Sequence, residues 1–121
     1  MLFRSKIQDT VAGILVAHPD LDGIWCTFSN QIVAAADALR SADRIDVALT
    51  GIDADRAIIE RIRSGWITRT AAQFPEQQGR LAAQAVLDHF EGKPVATNYE
   101  VPIGLVTLAN VDEMNRMIWG E

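Results

Sequence analysis

Hydrophobic positions along the chain alternate between helical spacing and short continuous runs. From Lys6 to Ala17, Ile7, Val11, Ile14 and Leu15 share one helical stripe, and His18-Pro19 ends it, because proline disfavours helix at the residue before it. Gly23 to Phe28 (GIWCTF) is short, apolar and aromatic, which predicts a buried strand. Ser29 is the predicted N-cap of a helix over Asn30 to Ala42, with Ile32, Val33, Ala36 and Leu39 on its inner face. Asp46 to Ile52 (DVALTGI) predicts a second strand. Asp53 and Asp55 are competing caps for a helix over Arg56 to Ser64, and Gly65 fits the position just past its end. Ile67 to Ala72 predicts a third strand. Pro75 sits where a first-turn proline is tolerated, and Leu81, Ala82, Ala85, Val86, His89 and Phe90 stripe the long helix that follows. Gly92 ends that helix and Pro94 prevents its return. Val101 to Leu108 reads as extended, and Asn110 with Glu113 as a capping box for a terminal helix.

Short apolar strands alternating with amphipathic helices predict an α/β fold: a three-layer sandwich with a mostly parallel sheet and helices on both faces. No interior linker interrupts the pattern, so residues 1–121 are expected to form a single domain. The formal net charge of -5 disfavours phosphate backbones, so no nucleic acid partner is expected. Cys26 is the single cysteine and has no internal disulfide partner. No apolar run approaches the ~18 residues of a membrane helix, and Met1 to Lys6 is too short and mixed for a signal peptide. A helix beginning almost at Met1 suggests that the natural start lies upstream. The sequence shows no phosphate-cradling glycine loop, no metal-ligand spacing and no nucleophile pair for Cys26, which argues against an enzyme and against a cofactor. A phosphoacceptor receiver domain has a similar plan, but its acidic pair and later lysine are not found. Trp25 and Trp66 are read as packing residues; Trp119, near the terminus, is open to either exposure or a contact.

The wording of the segments is more specific than their order. His18-Pro-Asp-Leu-Asp-Gly-Ile-Trp25 resembles the "HPDIDGIF" entry to the second lobe of periplasmic sugar-binding proteins, the type that serves ABC importers and is exemplified by ribose-binding proteins. Asn30 to Ala42, Asp46 to Asp53 (DVALTGID), and Ile58 to Ile67 are similar to the segments that follow in that lobe. So are Thr70 to Pro75 (TAAQFP), Glu91 to Pro94 (EGKP) and Val106 to Glu113 (VTLANVDE), all in the right order. The resemblance implies the carboxyl-terminal half of a two-lobed protein, with the first lobe absent. It implies a sugar-import role in a periplasmic parent, with importer membrane subunits as partners of the intact protein. The rival is the effector-binding core of lac-repressor-like regulators. Those carry two adjacent acids where this chain has Asp53-Ala54-Asp55, and they end in an Arg-x-Ser segment rather than Leu-Ala-Asn-Val-Asp-Glu. A free-standing interaction module that no longer binds sugar is the third possibility.

Sugar hydroxyls both donate and accept, so a binding lobe needs carboxylates or amides at loop tips and an aromatic platform, placed beyond the carboxyl ends of the strands. Asp53 matches the family's ligand-binding aspartate, with a helix cap as its plain structural alternative. Gln73 matches a glutamine that bonds sugar hydroxyls near the hinge; the alternative is a solvated amide. Phe28 and Ser29 stand where many members have Asn-Asp and others an aromatic followed by aspartate. Core packing is an equal reading for Phe28, and the missing carboxylate at Ser29 leaves the sugar open. The fragment alone is expected to bind sugar weakly. The stripe Leu81, Ala85, Val86 and Phe90, uncovered without a first lobe, is expected to drive homodimer formation through the helix Gln77 to Phe90 or the termini, by packing on or exchanging with a partner's helix; the plain alternative is fold-back onto the chain's own sheet.

Overall fold

The computed structural model describes residues 2–120. Helices and strands alternate as α1 (Leu2–Ala17), β1 (Gly23–Trp25), α2 (Ser29–Ser41), β2 (Ala48–Ile52), α3 (Arg56–Arg63), β3 (Arg69–Ala72), α4 (Pro75–Phe90), β4 (Gly104–Thr107) and α5 (Val111–Trp119). The four-stranded sheet has the order β1-β2-β3-β4. The first three strands are parallel, with Trp25 beside Thr50 and Thr50 beside Arg69; β4 runs antiparallel to β3, with Val106 beside Thr70. Thus the α/β class and the mostly parallel sheet are as the sequence predicts. Among the described residues no helix is long and apolar enough to cross a membrane.

Burial alternates along the strands with the period of two that pleating dictates. Leu49, Gly51, Thr70, Ala72 and Val106 are buried on one face. There they meet Val11 and Leu15 of α1, Ile32 and Leu39 of α2, Ile58 and Ile62 of α3, and Val111 and Met114 of α5 in one continuous core. Gly51 is required by this packing: a Cβ there would lie 2.8 Å from Ile32 Cδ1 and 2.9 Å from the Cys26 carbonyl.

The opposite face carries Trp25, Ala48, Arg69 and Leu105, all exposed. The expectation of helices on both faces is therefore met on one. The reading of Trp25 as a packing residue is corrected by the same fact: β1 directs its indole to the open side, where it is 63% exposed. Trp66, in contrast, packs against the core.

Three local expectations also change. The first strand stops at Trp25 rather than Phe28, because Gln31 Oε1 accepts from both the Thr27 amide (3.0 Å) and hydroxyl (2.7 Å) and draws the chain into α2. Ser29 is the first residue of α2, and Phe28 occupies the N-cap position without a side-chain hydrogen bond. Asn110 does stand at the N-cap of α5, but no capping box forms. Its Oδ1 instead accepts from the Thr107 amide (2.8 Å) and its Nδ2 donates to the Leu105 carbonyl (2.9 Å), so the side chain ties the turn to β4.

Asp37 clasps the helical layer. Its Oδ2 accepts from Arg4 of α1 at 2.6 Å and its Oδ1 from Arg61 of α3 at 2.8 Å. Burial acts to raise this carboxyl, but the hydrogen bonds from Arg61 and Arg4 outweigh it and hold Asp37 below the usual carboxylate range.

Candidate functional site

The site forms at the carboxyl ends of the parallel strands, where β2 hands over to α3 and β3 to α4. Asp53 follows β2 directly and takes a left-handed backbone conformation (φ 82°), which a non-glycine residue adopts only when its surroundings hold it. They do so from both sides: its amide donates to the Ala71 carbonyl (3.0 Å), and its carbonyl accepts from the buried Thr70 hydroxyl (2.6 Å). The turn aims the carboxylate across the strand ends. Oδ2 accepts from the Ser29 amide at 3.0 Å, and Oδ1 from Gln73 Nε2 at 2.9 Å.

Asp53 therefore caps α2, not the helix that follows it. That task falls to Asp55, whose Oδ1 accepts from the Ile58 amide at 3.0 Å and whose Oδ2 accepts from the Ser29 hydroxyl. One loop thus supplies two carboxylates, each set at a helix N-terminus where negative charge is favoured. Ser29 links them.

The hydrogen-bond directions fix what this cluster offers. Gln73 donates one amide hydrogen to Asp53, which leaves its Oε1 and its second N–H for a ligand. Carboxylate oxygens can each accept more than one hydrogen bond, so Asp53 and Asp55 keep accepting capacity beyond their internal bonds. The result is a convergent set of acceptors suited to a ligand rich in hydroxyl donors.

Asp53, Asp55, Gln73 and Ser29 line a cavity of about 1080 Å³, whose other walls include Phe74, Glu76 and Arg80 at the start of α4 and Trp119 at the end of α5. Three of the four residues singled out in the sequence come together here. Phe28 does not line the cavity; it lies just before α2 and is 37% exposed. Asp55 and Trp119 are among the cavity residues that the sequence does not assign to the site. Asp55 reads in the sequence as a helix cap, and Trp119 is brought in by α5, whose packing no local pattern announces. Cys26 is buried, and burial pushes its thiol pKa up, away from the reactive thiolate. Among the described residues, no group of three or more His, Cys, Asp or Glu is placed to hold a metal.

The chain is similar to known proteins in sequence and in fold. The chain is 28% identical over 104 residues to the ribose import binding protein of Bacillus subtilis, across 86% of this chain and 34% of that protein. It is 27% identical over 103 residues to the ribose import binding protein of Escherichia coli, across 85% and 35%. The chain thus spans about a third of the length of these curated relatives. Among solved structures, an ABC sugar transporter subunit from Rhodobacter sphaeroides superposes with a TM-score of 0.82 at 28% identity, over 88% of this chain and 40% of that one. An ABC transporter solute binding protein from Agrobacterium vitis with bound allitol shares the fold with a TM-score of 0.86 at 24% identity, over 94% and 41%. Residues 4–94, most of the chain, match the periplasmic binding protein domain, and the chain belongs to that family.

Proposed function

We propose that this chain is a sugar-binding lobe of the substrate-binding component of an ABC-type sugar importer, acting by recognition rather than by catalysis. The observation that carries the reading is the acceptor cluster of Asp53, Gln73 and Ser29, joined by hydrogen bonds at the carboxyl ends of β2, β3 and the β1–α2 turn. Such a cluster is what sugar hydroxyls require, and it lies where open α/β sheets bind ligands. In the intact parent the location is the periplasm and the partners are the importer's membrane subunits. Ser29 belongs to the set through its bonds to both carboxylates; Phe28, which the family resemblance brings to the set, stands outside the cavity lining.

A single lobe offers half of a cleft, so ligand hydroxyls on its far side stay with water. Calorimetry with D-ribose, D-arabinose, D-allose and D-fucose is expected to show binding no tighter than about millimolar, roughly -4 kcal/mol. Asp53→Ala is expected to remove what binding there is. A micromolar titration that survives Asp53→Ala would contradict the reading.

The lobe on its own is also proposed to form a homodimer through α4. No residue of that helix is buried, and Val86, Leu87 and Phe90 are exposed, Phe90 by 83%. The helix does not fold back on its own sheet, which leaves a second copy as the cover that water favours.

A further inference from the structure

We propose that Trp119 is the aromatic wall of this site, the surface on which the apolar face of a bound sugar ring rests. The proposal rests on the sugar-binding reading above and names a residue that neither the motifs nor the spacing of the sequence assigns to it. A sugar-binding surface needs an apolar platform beside its acceptors, because the C–H faces of the ring must leave water when the hydroxyls are paired.

Three aromatic residues are near enough to compete. Phe28 does not line the cavity. Phe74 lines it, but its ring is committed to the core side of β4: a Cβ added at Gly104 would lie 3.0 Å from Phe74 Cζ. Trp119 lines the same cavity as Asp53, Asp55 and Gln73 and is 43% exposed. Its indole N–H donates to the carbonyl of Ala54 at 3.1 Å. Ala54 stands between the two acidic residues, so this bond ties the ring to the loop that supplies the acceptors.

The guanidinium carbon of Arg56 lies over the ring, 5.4 Å from its centroid. Arg56 is not among the residues lining the cavity, whereas Trp119 is. The indole is thus held at its edge by a hydrogen bond and on one face by a cation, in a residue that lines the same cavity as the acceptors. A ring fixed before the ligand arrives loses little freedom on binding, which is the condition for an effective platform.

Saturation-transfer NMR with D-ribose and D-allose through the millimolar range tests this on the whole chain. Irradiation of aromatic protons is expected to transfer to ring C–H protons of the sugar. Trp119→Ala is expected to lose that transfer and to weaken binding about three- to tenfold, and Trp119→Phe to restore most of both. Thermal melts accompany each variant, and the Phe variant carries the test should the Ala variant unfold. If Asp53→Ala abolishes binding while Trp119→Ala binds as the parent does, the site stands and the platform is overturned. If Trp119→Phe is as weak as Trp119→Ala, the tie to Ala54 rather than the ring face is what mattered, and the platform is again overturned. No transfer to either sugar from the parent chain overturns both the platform and the sugar site.

Discussion

Asp53 concentrates most of the chemistry in one residue. It holds a left-handed backbone, caps α2 from 24 positions away, and orients Gln73. Asp53→Ala removes two charge-assisted hydrogen bonds and leaves an alanine at φ 82°, so a loss of about 1–3 kcal/mol is expected in urea unfolding. Asp53→Asn tolerates the left-handed region and keeps one acceptor, so its loss should be smaller. Equal losses would mean that charge alone matters. Gly51→Ala tests packing two residues earlier, within β2. Its new methyl would press on Ile32 and the Cys26 carbonyl, and a cost of about 1–3 kcal/mol is expected from the same measurement. The sequence made Asp53 and Gln73 legible because each directly follows an apolar strand, and parallel strands put such positions at one edge. It did not reveal that Asp53 caps α2 while Asp55 caps α3, because that choice depends on Ser29, distant in sequence and close in space. Trp119 was open for the same reason: its role depends on where α5 packs.

At the scale of elements, helix positions were readable from the spacing of apolar residues, and strand boundaries less so. The first three strands each begin later or end earlier than their apolar runs, since turn and side-chain hydrogen bonds take the flanking residues. Thr27 is taken by Gln31, and Val47 by a bond from its amide to the Arg44 carbonyl. The antiparallel direction of β4 has no local signature, because VPIGLVTL suits either direction. What joins the helices is also non-local. Asp37 pairs with Arg4 and Arg61 across three helices, and its folded-state pKa is depressed. A depressed carboxyl contributes stability that is fully present above the unfolded pKa, about 4, and is lost as pH falls through the folded value. Asp37→Asn is expected to cost about 1–2 kcal/mol at neutral pH and to make stability less steep in acid. Urea midpoints measured from pH 7 down to pH 3 check this; parallel curves for parent and variant would show that the clasp contributes no pH dependence.

As a whole, the molecule is a half-covered sheet with a helix extending from it. One sheet face bears the exposed Trp25 and Leu105, and no residue of α4 is buried. Periodicity announced both amphipathic surfaces but not which of them this chain would cover, since that depends on which other elements are present. Sedimentation at micromolar concentration is expected to give a dimer that Val86→Glu with Phe90→Glu converts to monomer. A monomeric parent would contradict the role of α4. The most direct measurement on the account as a whole is amide and side-chain shift mapping of the labelled chain against D-ribose and D-allose. The account predicts shifts concentrated at Asp53, Asp55, Gln73 and Ser29, absent in Asp53→Ala. Shifts confined to the open sheet face, or none at these residues, would contradict it.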